Sequence, residues 1–557
     1  MLEWKKCLNE GNPVRVILKK EESDFIVRER AEAGLLSAYD TLQMPNLILD
    51  GLPGIRAKLL QHVDALEEAS AYALYRVTGI RSKEERRKIH QMYSMHPFIY
   101  TVSVKNDDIE GSEDSDVLIV FDTHHKNHIY AATVTKRGKN TNDIIDIVSS
   151  MLKIKPHKVS FSGNKDKKAI TTQRISIEGC CYIDIRKAAQ NLKSRDPEFK
   201  LSKVLYSQES MGISDVLRNG ARQVLGSALH KIDVPIVLAS EIIPELDRVA
   251  SEIEAAKAPE QADEEYIRVV TGFEQSVVLD QIERIDSSLG LGQLSGNRFY
   301  LNLEVTEGLE FASERATKIA HNGFPNYYGS QRFGVGMDNP AIGEALTRRD
   351  NESAVSRILG SLKTLEHSQN ALKAHELIQE KKYKEAEMAL PRMFRNERKI
   401  LNGLSRGMSP AQAFKGVDRP SRLIYVHSYQ SMIFNDDLQR RLINGLKEKE
   451  YATDRNISSV TSKKEIESET YITEAARWEN LMIPLWPYPE AQDEGKEAGS
   501  HGGILKGGLR KAVIKPENMA HKVSGSLLQL SFTLPPGVYA TTLVKELSQN
   551  EVSVVTW

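Results

Sequence analysis

The stretch Ser162-Gly163-Asn164-Lys165-Asp166-Lys167-Lys168-Ala169 sets one carboxylate among three lysines. Nearby positive charge favours the ionised form of an aspartate, so Asp166 reads as a carboxylate kept charged in a loop between two strands. Lys153, Lys155, Lys158 and Arg174 extend the basic character, and Glu178 opposes it. Together these residues could line a phosphate-binding surface around a single acid. Composition alone favours a plainer account, a solvated hairpin turn rich in charge.

Other chemistries find no support. There is no G-x-x-x-x-G-K-[ST] run, and Gly290-Leu291-Gly292-Gln293-Leu294-Ser295-Gly296 misses the dinucleotide spacing and precedes a strand. Asn164-Lys165-Asp166 has the start of a guanine-reading N-K-x-D, but Lys167 stands where its aspartate is needed. Cys7, Cys180 and Cys181 lack C-x-x-C spacing and read as inert thiols in a reducing compartment. His124, His125 and His128 have no carboxylate or cysteine beside them and read as a solvated turn rather than a metal site. The net charge of -1 argues neither for nor against nucleic acid, because a neutral total can hide a basic groove.

The elements around Asp166 follow from periodicity. Residues 14–29 alternate as two short strands about a charged turn, and 128–135 reads as a strand leading into a helix over 141–154. The strands 158–163 and 174–179 enclose the loop 164–173, which carries Asp166. Residues 30–100 read as helical and charged, with a basic helix at 81–90, and 105–116 as an acidic loop. Residues 186–290 are expected to be mainly helical, with a polar excursion at 254–265, and 297–305 reads as a half-buried strand. Phe311, Arg315, Ile319 and Ala320 mark a helix that stops at Gly323 before Pro325. Residues 345–480 read as a helix-rich module and 484–503 as a long loop. Leu528, Leu530, Phe532 and Leu534 alternate as a strand, and 540–547 starts a helix. At 557 residues the chain exceeds one core, and it contains neither a membrane-length apolar run nor a signal-peptide pattern, so an intracellular, soluble protein is expected.

Six blocks then carry a resemblance. The segment 161–173, FSGNKDKKAITTQ, resembles the motif around the catalytic aspartate of the TruD family of RNA pseudouridine synthases. Residues 326–334, NYYGSQRFG, are similar to that family's second block, and Lys19 with Asp24-Phe25-Ile26-Val27-Arg28-Glu29 to its N-terminal block. Weaker matches at 291–299, 428–442 and 534–547 stand in the family's order. Longer stretches at 30–120 and 205–285 make the chain resemble the eukaryotic or archaeal branch.

The resemblance implies an α/β (α+β) fold. A mixed, largely antiparallel catalytic sheet domain (1–345) would be interrupted by a helix-rich insertion (346–511) and completed by the C-terminal strand and helix (512–557). It implies a cofactor-independent isomerase with no metal and with Asp166 as catalytic carboxylate, Lys19 paired to it. Phe25 and Tyr328 become candidates for stacking on bases, Asn326 for reading a uracil edge or fixing the catalytic loop, Lys165 for substrate binding, and Gln331 and Arg332 for bracing that loop or binding phosphate. RNA is the implied partner, bound in the cleft between the domains and touched by Arg392, Arg395, Arg398 and Lys399. The implied substrate is tRNA of the position-13 class, with snRNA and mRNA as further substrates of the eukaryotic branch. A monomer without guide RNA or membrane contact is expected, in the nucleus or cytoplasm. The rival classes are an RNA-binding protein without catalysis and a base-excising glycosidase.

Overall fold

The computed structural model describes residues 6–31, 34–35, 73–94, 99–105, 115–121, 129–193, 236–238, 240, 243–244, 263–273, 275–334, 336–364, 368–391, 394–454, 459–460, 471–473, 477–487, 507–549 and 552–554. The histidines 124, 125 and 128, Arg392, and most of the loops expected at 105–116, 254–265 and 484–503 lie outside them. The chain forms two compact units, one of residues 19–300 and one of residues 1–18 with 301–557.

In the first unit the strands Val277–Ile285, Ile129–Arg137, Ile170–Glu178 and Phe25–Ala31 lie side by side in that order. The first two junctions are antiparallel, and the third, Ile26 beside Ile170, is parallel. Ile129–Arg137 and Ile170–Glu178 pair without a break, from Ile129 opposite Glu178 to Arg137 opposite Ile170. Both strands are buried along nearly their whole length, as central strands are. The helix Thr141–Met151 covers them through Ile144 and Val148. Asn140 and Asp143 start it with a reciprocal capping box, which occupies backbone N–H groups the first turn leaves unpaired.

Val277–Ile285 departs from the mainly helical expectation for 186–290. Its pairing slips between Asp280 and Glu283, and such a bulge erases the alternation by which a strand is recognised. A second sheet holds Ile236–Leu238, Ala73–Thr78, Ser115–Phe121 and Ile99–Lys105 in that order. The helical expectation for 30–100 therefore holds for Lys83–Ser94 but not for Ala73–Thr78.

In the second unit Arg15–Leu18 pairs antiparallel with residues 304–307 and parallel with Val552–Val554. Leu527–Leu534 buries Leu528, Leu530, Phe532 and Leu534 and forms a hairpin with Glu517–Ser524. The helix Leu309–Asn322 ends at Gly323, whose φ of 80° is left-handed and where a Cβ would meet the Ile514 carbonyl at 2.6 Å, so only glycine fits. A run of helices from Asn339–Thr347 to Arg419–Asn444 encloses its own core of Ile342, Val355, Ile358, Leu401 and Phe414. After Asn444 the chain changes to short strands, Glu450–Ala452, Tyr471–Thr473 and Leu481–Leu485, in a five-stranded sheet with Gly508–Lys511.

The result is a mixed, largely antiparallel α/β fold. All three cysteines are free, with Cys180 and Cys181 buried. No described helix is long and apolar enough to cross a membrane.

Candidate active site

Asp166 sits in the loop between Val159–Phe161 and Ile170–Glu178, its side chain one-quarter exposed (25%). The ammonium of Lys19 is ion-paired with its Oδ2. Lys19 follows Arg15–Leu18 with a left-handed φ of 61°, a conformation a non-glycine residue rarely holds, and the turn aims its buried side chain at the aspartate. Its Nζ also stands 4.0 Å from the centroid of the Phe25 ring, so an aromatic face shares the cation.

Phe25 itself is buried, edge-on to Phe299 at 6.0 Å. Lys165 turns inward: its ammonium pairs with Glu29 at 2.7 Å and donates to Asn297 Oδ1 at 2.8 Å. Glu29 accepts in turn from the Arg174 N–H at 3.2 Å. The Lys165 N–H donates to Thr141 Oγ1 at 2.9 Å, and that hydroxyl donates to Gln173 at 3.1 Å. Gly292 N–H donates to the Ser162 carbonyl at 2.7 Å. The loop is thus pinned along its length while the Asp166 carboxylate stays reachable. Asn164 and Lys167 are exposed beside it.

The second unit builds a constellation around Tyr328. Arg510, fully buried, lies 4.0 Å over the Tyr328 ring and donates to Asn326 Oδ1 at 2.6 Å and to the Asn326 carbonyl at 3.2 Å. The Asn326 amide also donates to the Lys511 carbonyl at 2.9 Å, so its polar atoms are spent on bracing the chain. Of its two expected roles, the geometry favours holding the loop. Phe434 and Tyr539 meet the Tyr328 ring edge-on at 5.5 and 6.3 Å. A Cβ on Gly329 would strike the Tyr539 ring at 2.8 Å, so the close approach requires glycine. Arg332 stands 5.5 Å from the Tyr328 ring, and its Nε has no hydrogen-bond partner among the described residues.

The six blocks therefore sort three and three. Lys19 with 24–29, 161–173 and 291–299 converge on Asp166, whereas 326–334, 428–442 and 534–547 converge on Tyr328. Phe25, Lys19, Lys165 and Asp166 come together; Asn326, Tyr328 and Arg332 form their own group.

Sequence reasoning missed Lys136, Glu29, Asn297, Asn435 and Arg510. Glu29, Asn297 and Asn435 stood inside recognised blocks, which was a usable signal. Lys136 follows the expected strand 128–135 as an ordinary cation would, and Arg510 stands outside every recognised block. No group of acids, histidines and cysteines with metal-site geometry occurs among the described residues.

Residues 107–225 and 254–482 match the family model described as tRNA pseudouridine synthase D (TruD). A Thermococcus sibiricus protein named "Probable tRNA pseudouridine synthase D" is 29% identical over 299 residues, 47% of this chain and 70% of that protein. The tRNA pseudouridine synthase D of Syntrophotalea carbinolica is 27% identical over 311 residues, 50% of this chain and 75% of that protein. The human Pseudouridylate synthase 7 homolog is 23% identical over 618 aligned positions, 97% of this chain and 79% of that protein. With more than half of its residues matched, the chain belongs to the TruD family of tRNA pseudouridine synthases.

Proposed function

We propose that this isomerase converts a tRNA uridine of the position-13 class to pseudouridine with Asp166 as its catalytic carboxylate. The observation that carries this is the partly exposed Asp166, ion-paired to Lys19 in a loop pinned from both sides. The reaction breaks the N1–C1′ bond, turns the uracil and forms a C5–C1′ bond; the C5 hydrogen leaves as a proton and N1 takes one up. A carboxylate can start it either by attacking C1′ or by removing a proton from the ribose beside it, and both routes use the Asp166 carboxylate. Lys19 holds that carboxylate, and Phe25 holds Lys19. Lys165 and Asn326 support the two loops from within. Tyr328 and Arg332 are the RNA contacts proposed for the second unit, an aromatic face for a base and a partly unpaired guanidinium for a phosphate.

snRNA and mRNA are proposed as further substrates, as the resemblance to the eukaryotic branch implies. The protein is proposed to act as a monomer in the nucleus or cytoplasm, without a guide RNA.

The test is tritium release from tRNA labelled at uridine C5, comparing wild type with Asp166→Asn, with tRNA binding measured in parallel. Release by wild type, lost in the variant while binding persists, supports the reading. Binding without release on tRNA, snRNA and mRNA points to an RNA-binding protein, and abasic sites point to a glycosidase. Full activity in Asp166→Asn would remove Asp166 from its role.

A further inference from the structure

We propose that Lys136 is a positioning residue that sets the direction of the Asp166 side chain by clamping the backbone on both sides of it; this rests on the reading of Asp166 as the catalytic carboxylate. Lys136 lies near the end of Ile129–Arg137, opposite Thr171, and is 1% exposed. Its ammonium makes no ion pair at contact distance among the described residues. It donates instead to three carbonyls, those of Lys139 at 2.6 Å, Asp166 at 2.8 Å and Lys165 at 3.5 Å.

The geometry has a specific consequence. The Lys165 carbonyl belongs to the peptide plane that ends at the Asp166 nitrogen, and the Asp166 carbonyl to the plane that follows. Peptide planes are rigid, so only φ and ψ of Asp166 lie between them. Holding both planes from one ammonium, the second more closely than the first, restrains both angles and with them the direction of Cβ. Lys19 then holds the far end of the same side chain. The aspartate is anchored at its backbone and at its carboxylate by two different lysines.

An ammonium has three donors and a neutral amine two, so the clamp depends on Lys136 staying protonated. Burial lowers its pKa to about 8, with Lys165 and Lys19 adding to the fall and Asp166 and Asp143 opposing it. A guanidinium would not titrate in this range.

The experiment compares wild type, Lys136→Met and Lys136→Arg for tritium release between pH 6.5 and 9.5, with Asp166→Asn as the control. Misplacing a reacting group by about 1 Å costs about 100-fold. Lys136→Met is therefore expected to lower kcat by about 10- to 100-fold with the KM for tRNA within about twofold. Wild-type kcat is expected to fall above pH 8, and Lys136→Arg to show no such fall, whatever its maximum. A Lys136→Met kcat close to wild type overturns the clamp. So does a wild-type kcat that stays flat through pH 9.5, or a basic limb unchanged in Lys136→Arg. If Lys136→Met does not fold, the two pH profiles decide alone. Activity in Asp166→Asn would overturn the catalytic reading and the clamp with it, whereas an inactive Asp166→Asn beside an indifferent Lys136 overturns only the clamp.

Discussion

Asn435 and Tyr328, 107 positions apart, bind each other as two strand residues would: the Tyr328 N–H donates to Asn435 Oδ1 at 2.8 Å, and Asn435 Nδ2 donates to the Tyr328 carbonyl at 3.1 Å. A side-chain amide has both a donor and an acceptor, so one residue of the long helix Arg419–Asn444 satisfies both backbone groups of the aromatic loop. Asn435→Ala leaves two buried backbone groups unpaired. Each costs about 1–3 kcal/mol, so the variant should lose about 2–6 kcal/mol in urea unfolding. A loss below 1 kcal/mol would mean that the loop is held by its aromatic contacts instead.

Lys19 presents a second trade between stability and function. A non-glycine residue at its φ of 61° carries about 1–2 kcal/mol of strain. Lys19→Ala and Lys19→Gly both remove the ammonium, but only glycine relieves the backbone. Both variants should lose tritium release, and Lys19→Gly should be the more stable by about 1 kcal/mol. Equal stabilities would show that the turn is unstrained.

Much of this arrangement was legible in the residues. Thr141–Met151, Gly296–Glu307 and Leu527–Leu534 announce themselves by their period. Val277–Ile285 does not, because its bulge shifts the alternation partway along. Asp166 and Lys19 were found through their motifs, since nothing in local composition says which of many lysines will fold back across 147 positions. Lys165 shows the limit of charge counting. In sequence it belongs to the same basic run as Lys167, yet it is buried against Glu29 whereas Lys167 is exposed. Lys136 and Arg510 were missed for the same reason, because burial of a cation is decided by tertiary partners and not by its neighbours in the chain.

The helical run of the second unit supplies a test of RNA contact. A concavity of about 960 Å³ is lined by Glu387, Arg395, Arg398, Lys399, Met408 and Lys415, among others. Arg398 is engaged there by the Leu390 carbonyl at 2.7 Å and by Glu387 at 3.4 Å, whereas Arg395, Lys399 and Lys415 are exposed. If these three meet phosphates, Arg395→Gln, Lys399→Gln and Lys415→Gln should weaken tRNA binding. Each should reduce the slope of log affinity against log salt by about 0.7–0.9. Arg398→Gln should change stability more than it changes the slope. Unchanged slopes in all three exposed variants would move the RNA path elsewhere.

Lys136 should also make stability and activity respond to alkaline pH in opposite directions. Its folded pKa of about 8 lies below the 10.5 of an ordinary lysine, chiefly through burial. Between those values the unfolded chain binds more protons at this position than the folded one, and stability rises with pH wherever the unfolded state holds the extra proton. The contribution of Lys136 to stability should therefore increase from pH 8 towards 10.5, by at most about 1.4 kcal/mol per pH unit. Other groups titrate there as well, so the quantity to measure is the difference in unfolding free energy between wild type and Lys136→Met across this range. The difference should grow in favour of wild type as pH rises, while the kcat of wild type falls. A buried lysine with only a packing role would show the first trend without the second. A lysine already neutral at pH 7 would also show the first trend without the second, because the unfolded chain would still hold the extra proton up to pH 10.5, and the three carbonyls would then need another account of what holds them.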